Sequence, residues 1–88
     1  MNSPRWALVT GASSGLGVEY VRSLARSGHG IVLVARDGDR LQSVAGQVAD
    51  EFGVSTEVLV ADLHKPSEVA TVGQRLGDTR RPVRVLIN

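Results

Sequence analysis

Cysteine is absent from the 88 residues, which excludes a disulfide framework and a thiolate metal site. The two histidines, His29 and His64, do not make a zinc site by themselves. An excess of one charge is lacking as well: ten basic against nine acidic residues leave a formal net charge of +1. That balance is too even for the basic patch that phosphate-backbone binding needs, so nucleic acid is not an expected partner. Long apolar runs are missing too. No window approaches 18 uncharged apolar residues, and Met1 to Trp6 carries no charged leader followed by an apolar stretch. The expectation is a soluble, cytoplasmic chain with no membrane partner. With 42% hydrophobic residues, one small domain spanning 1–88 is affordable. A chain this short buries only roughly 60 to 65% of its unfolded surface, so its stability margin is thin.

Two apolar patterns alternate along the chain. Short continuous runs, Trp6 to Val9, Ile31 to Ala35, Val58 to Ala61 and Val83 to Ile87, have the form of strands buried on both faces. Between them lie segments with helical spacing. Leu41, Val44, Ala45, Val48, Ala49 and Phe52 follow the stripe of a helix resting one face on a sheet, ended by Gly53. A first helix is predicted from about Gly15 to Ser27, with Leu16, Tyr20, Val21, Leu24 and Ala25 inward and Gly28 as its stop. A third opens at Pro66, where a missing N–H costs nothing, and stops near Gly77, with Lys65 a poor cap. The order βαβαβαβ, with right-handed parallel crossovers, gives an α/β fold: a doubly wound parallel sheet with strand order 3-2-1-4.

Between the first strand and the first helix runs Thr10-Gly11-Ala12-Ser13-Ser14-Gly15-Leu16-Gly17. Glycine at 11 permits a turn that a side chain would obstruct, glycine at 15 lets backbone approach a ligand, and glycine at 17 brings the helix close. The free N–H groups of the first helical turn then face an anion, helped by the helix dipole, and a pyrophosphate fits. Ser13 and Ser14 are candidates for both a helix cap and a phosphate ligand. The spacing is not Gly-x-Gly-x-x-Gly, and no Gly-Lys-Ser/Thr follows, which nearly excludes a nucleotide-triphosphate hydrolase.

The form Thr-Gly-x-x-x-Gly-x-Gly, directly after a strand near the N-terminus, resembles the short-chain dehydrogenase/reductase family, and the resemblance covers the whole chain. Asp62-Leu63 after the third strand is its second marker, where the family uses the aspartate to bond the adenine amino group. Val85-Leu86-Ile87-Asn88 is its third, resembling the fourth strand as it enters the family's Asn-Asn-Ala-Gly motif. The resemblance implies a Rossmann-type fold binding a nicotinamide dinucleotide through Gly11, Ser13, Ser14, Gly15, Leu16, Gly17, Asp62, Leu63 and Asn88. Plainer roles stand beside these. Asp62 would cap a turn, Asn88 would fray as a terminal residue, and Tyr20 and Trp6 would pack in the core. His29 and His64 would be solvated loop residues.

In a dinucleotide fold the residue ending the second strand faces the adenosine ribose, and an acidic side chain there selects NAD. Ala35 occupies that place here and Arg36 follows, offering a bidentate fork to the 2′-phosphate of NADP. NADP is therefore expected over NAD. A strand end slipped by a residue or two would bring Asp37 to the ribose instead.

The family's hydride transfer between nicotinamide and a carbonyl or alcohol uses a tyrosine, a lysine four residues later and a serine. Here the tyrosine is Tyr20, followed by Val21-Arg22-Ser23-Leu24, and the lysine is Lys65, so no tyrosine-lysine pair exists and no catalytic residue is assigned. The expectation is the N-terminal, cofactor-binding part of an oxidoreductase, cut at the fourth strand and inactive alone. The open apolar edge of that strand would invite self-association. The alternative is a stand-alone NADP-binding or regulatory module that pairs this edge with another chain.

Overall fold

The computed structural model describes residues 4–88, so positions 1–3 of the segment scanned for a leader lie outside the described residues. Strands and helices alternate as β1 (Trp6–Thr10), α1 (Gly15–Arg26), β2 (Gly30–Ala35), α2 (Gly38–Phe52), β3 (Thr56–Val60), α3 (Pro66–Leu76) and β4 (Val83–Ile87). Every pairing is parallel and the sheet order is β3-β2-β1-β4, the doubly wound arrangement that the alternating patterns predict.

Because successive side chains of a strand point to opposite faces, the sheet carries two cores. Ala7, Val9, Ile31, Leu33 and Ala35 pack with Val21, Ala25, Leu41, Ala45 and Val48 of α1 and α2. On the other face Trp6, Leu8, Val32, Val34 and Ala61 pack with Val72 of α3. Buried on both faces holds for β1 and β2 but not for β3 and β4, whose residues are at most half-buried. Those two are the edges of the sheet, with one paired neighbour each. On β4, Arg84 and Leu86 are exposed while Val83, Val85 and Ile87 are half-buried.

The inward stripe of α1 runs through Val21 and Ala25, with Leu24 packed beside them. Leu16 and Tyr20 lie off it, 68% and 41% exposed, which corrects their expected inward placement. The first turn of α1 approaches the chain at Gly17, where an added Cβ would stand 1.9 Å from the carbonyl oxygen of Gly11. That contact rotates the stripe 17, 21, 25 onto the sheet and leaves 16 and 20 to the side. Gly28, at φ +92°, stops the helix and donates its N–H to the Ala25 carbonyl.

α2 starts where the Asp37 carboxylate accepts the N–H of Arg40, at 3.2 Å, and ends at Gly53 with φ +67°. Asp37 is thus an N-cap. β2 ends at Ala35 without a slip, and the same aspartate also borders the cleft described below. α3 opens on Pro66, and Lys65 makes no side-chain cap bond. Beside Val72, α3 buries Arg75, which lies against the Trp6 ring at 5.3 Å and is bonded to Glu57 of β3 at 2.8 Å. Arg81 also reaches Glu57.

Candidate functional site

The loops leaving the carboxyl ends of β1, β2 and β3 converge on one open cleft of about 570 Å³. Its walls are Gly11, Ser13, Ser14, Arg36, Asp62 and Leu63, together with Val34, Ala35, Asp37, Ala61 and His64. In open α/β sheets this is where ligands bind. Backbone hydrogen bonds fix the loops to one another: Ala12 donates to the Val34 carbonyl at 3.1 Å and Ala61 to the Ala35 carbonyl at 2.9 Å.

Gly11 and Gly15 have φ of +64° and +55°, the region that favours glycine. A Cβ at either would meet nothing within 4 Å. Glycine at 11 is therefore required by the conformation of the turn, not by a crowding neighbour. Gly17 is required by space. Ser14 is the N-cap of α1 by position but makes no side-chain cap bond, and the first turn carries no acidic residue. The positive end of the helix thus meets neither an internal cap nor an internal anion. A dinucleotide pyrophosphate fits that end, and the bare backbone at Gly11 and Gly15 gives it room.

Six of the ten expected residues share the cleft wall. Gly15, Leu16 and Gly17 continue into α1 beside it, and Asn88 lies past β4, where the Thr10 hydroxyl is 3.1 Å from its Oδ1 and 3.3 Å from the Ile87 carbonyl. The Thr10 hydroxyl thus links the end of β1 to Asn88.

Asp62 takes the plainer role and faces the cleft at once. Its Oδ1 accepts the backbone N–H of His64 at 2.9 Å, and its own N–H donates to Glu68 at 2.8 Å. The His64 N–H holds its carboxyl below the usual carboxylate range; partial burial opposes this, while the His64 ring and the charge of Arg36 add to it. The group is ionised at neutral pH, and its contribution is lost only as pH falls through that lowered value.

Two residues were given no part in the site by the sequence, although His64 is the solvated loop residue expected there. His64 lines the cleft, and Arg40 donates from Nε to the Ser13 carbonyl at 3.2 Å, bracing the glycine-rich turn from α2. A signal existed for Arg40 in its position four residues after Arg36, one turn into a helix that starts at the cleft. No such signal marked His64. Among the described residues no helix is long and apolar enough to cross a membrane, and no group of three or more His, Cys, Asp or Glu is placed to hold a metal ion.

A parallel sheet of this order with a glycine-rich turn opening its first helix defines a dinucleotide-binding class of protein. The family model described as short chain dehydrogenase matches residues 5–88, and the chain belongs to that family. It is 39% identical over 85 residues to the inactive hydroxysteroid dehydrogenase-like protein 1 of Rattus norvegicus, covering 96% of this chain and 25% of that protein. It is also 39% identical over 64 residues to the very-long-chain 3-oxoacyl-CoA reductase of Anas platyrhynchos, covering 73% of this chain and 20% of that one. Among solved structures, a short-chain dehydrogenase from Sphingobium yanoikuyae in complex with NADPH superposes with a TM-score of 0.88 at 46% identity, over 93% of this chain and 32% of that one. The chain thus spans a fifth to a quarter of the length of these curated relatives.

Proposed function

We propose that residues 1–88 act as one cofactor-binding unit for NADP(H), belonging to an oxidoreductase that moves a hydride between the nicotinamide and a carbonyl or alcohol. The observation that carries this reading is Arg36, which follows β2 directly and shares a wall with Ser13 and Ser14 of the glycine-rich turn. A guanidinium there faces the 2′-phosphate, and no acidic side chain ends the strand to favour NAD. The similar Sphingobium yanoikuyae enzyme, described in complex with NADPH, supports the same choice. In this reading the first-turn N–H groups of α1, from Gly15 to Gly17, hold the pyrophosphate, with the Ser13 and Ser14 hydroxyls beside it. Asp62 takes the adenine amino group, Leu63 covers the base, and Asn88 borders the nicotinamide side. The nicotinamide would give the hydride to a carbonyl or take it from an alcohol. Titration calorimetry of the full chain at low salt tests the assignment: saturable binding of NADP is expected, and no heat with either NADP or NAD rejects it.

Binding is expected without turnover. The residues present include no tyrosine followed four positions later by lysine. Absorbance at the reduced-nicotinamide band, followed across alcohols and carbonyls, should stay at blank for the repurified chain. Turnover that persists through repurification would show that another group carries the proton.

A second reading, a binding module that pairs with another chain, is favoured by Leu86, 54% exposed on the edge strand β4. An edge with apolar side chains and unpaired backbone groups promotes pairing. Light scattering is expected to find dimers or larger species, and a stable monomer would count against pairing through this edge.

A further inference from the structure

His64 lines the cleft, and its ring makes a contact that the turn itself does not require. The Asx turn needs only its backbone N–H, which Asp62 Oδ1 already accepts, yet the ring is folded back so that Nδ1 lies 3.1 Å from the same oxygen. The ring is otherwise unconstrained, its side chain 89% exposed. Both contacts fall on Oδ1, while Oδ2 has no hydrogen-bond partner among the described residues. A carboxylate with one oxygen tied and the other open to a cleft is a directed acceptor, because the lone pairs that remain point one way.

The geometry points to His64 as a positioning residue for base selection: its ring pins Oδ1 of Asp62 so that Oδ2 meets an exocyclic amino group and discriminates adenine from a 6-oxo purine. The inference rests on the reading of Asp62 as the adenine contact and extends it to a side chain that never touches the cofactor's reacting atoms. Nδ1 donates in this arrangement, as the Nδ1–H tautomer or the imidazolium. Glu68, on the Asp62 N–H, and Lys65, 3.7 Å from Glu68, are the other charged groups of this loop, with Arg36 across the cleft. None of them contacts the carboxylate directly, so the ring is its only side-chain partner among the described residues.

The test compares binding of NADP with that of its hypoxanthine counterpart, in which a carbonyl oxygen replaces the amino group and is repelled by a carboxylate. The full chain is expected to prefer the adenine form about tenfold, the scale of one hydrogen bond to a charged acceptor. Asp62→Ala should abolish the preference. His64→Phe keeps a ring of similar shape but has no donor, and should narrow the preference to about threefold by weakening the adenine form alone. His64→Asn carries an amide N–H near the place of Nδ1 and should restore it. If Asp62→Ala removes the preference and His64→Phe leaves it at the native value, the His64 inference is overturned while Asp62 stands. A preference unchanged by Asp62→Ala instead overturns the reading of Asp62, and the role of His64 with it. Far-UV circular dichroism of each variant checks that the substitutions, at exposed His64 and half-buried Asp62, leave the fold intact.

Discussion

Gly17→Ala is expected to lower the thermal midpoint of the chain and to abolish cofactor binding, whereas Gly46→Ala, the same chemical change in α2, should raise the midpoint. Both glycines sit in helices, where alanine is favoured by up to about 1 kcal/mol. What separates them is space. A Cβ on Gly46 meets nothing within 4 Å, so propensity decides and the gain should be about 0.5 to 1 kcal/mol. A Cβ on Gly17 would stand 1.9 Å from the Gly11 carbonyl oxygen and 2.6 Å from its carbon. These are backbone atoms of the turn itself, so relief requires α1 to lift from β1. Forcing atoms into packed space costs roughly 1 to 3 kcal/mol, and more where backbone must move. In a domain of this size each kcal/mol shifts the midpoint by roughly 4 to 8 °C, so the two variants should melt on opposite sides of the native chain. Gly17→Val should fail to show a cooperative transition at all. An unchanged midpoint and native NADP affinity in Gly17→Ala would show that the turn is looser than its geometry implies.

The same contact explains what the sequence did and did not disclose. β1 and β2 were legible because their runs are apolar without interruption and the sheet covers both faces. The apolar run marks β3 only from Val58, two residues inside its start at Thr56, because Thr56 and Glu57 are polar and enter the strand by pairing with Ile31 and Val32 of β2. Hydrophobicity carries no trace of that register. On α1 the helical spacing marks Val21, Leu24 and Ala25 correctly but adds Leu16 and Tyr20, while the inward face instead continues through Gly17, which lets helix and sheet approach. A stripe drawn through the glycine would have found it.

On α3 the buried position 75 is an arginine, and its partner Glu57 lies 18 residues earlier. Spacing within the helix cannot announce such a pair, and two of the helix's larger apolar residues, Val69 and Leu76, are exposed. The cleft was legible in its glycines, in Arg36 and in Asp62 because each follows a strand end, and strand ends could be read. His64 was not, since its place depends on how one loop folds back on itself.

Replacing Arg36 by Leu is expected to weaken NADP binding roughly ten- to a hundredfold while leaving NAD nearly unchanged. A hydrogen bond to a charged group contributes on the order of 1.5 to 3 kcal/mol, and only NADP carries the phosphate that the guanidinium would contact. Arg36 is exposed on the cleft wall, so its removal disturbs no packing and the effect reports on binding. Its charge is also felt at Asp62, and a slight weakening of both cofactors through that carboxylate is the most that NAD should show. Ala35→Asp should reverse the preference, because its carboxylate would repel the 2′-phosphate and accept the ribose hydroxyl of NAD. That variant carries a second consequence. Ala35 is 9% exposed and packs in the α1 and α2 core, so a carboxylate there faces partial desolvation and should also lower stability. The two effects separate by measuring NAD and NADP on the same folded preparation, since a folding loss weakens both alike and a local charge moves them apart. Titration at low salt is the proper condition, because screening weakens the phosphate contact. Equal affinities of the native chain for the two cofactors, or an Arg36→Leu change that weakens both to the same degree, would reject NADP selection at this position while leaving the membership of the family untouched.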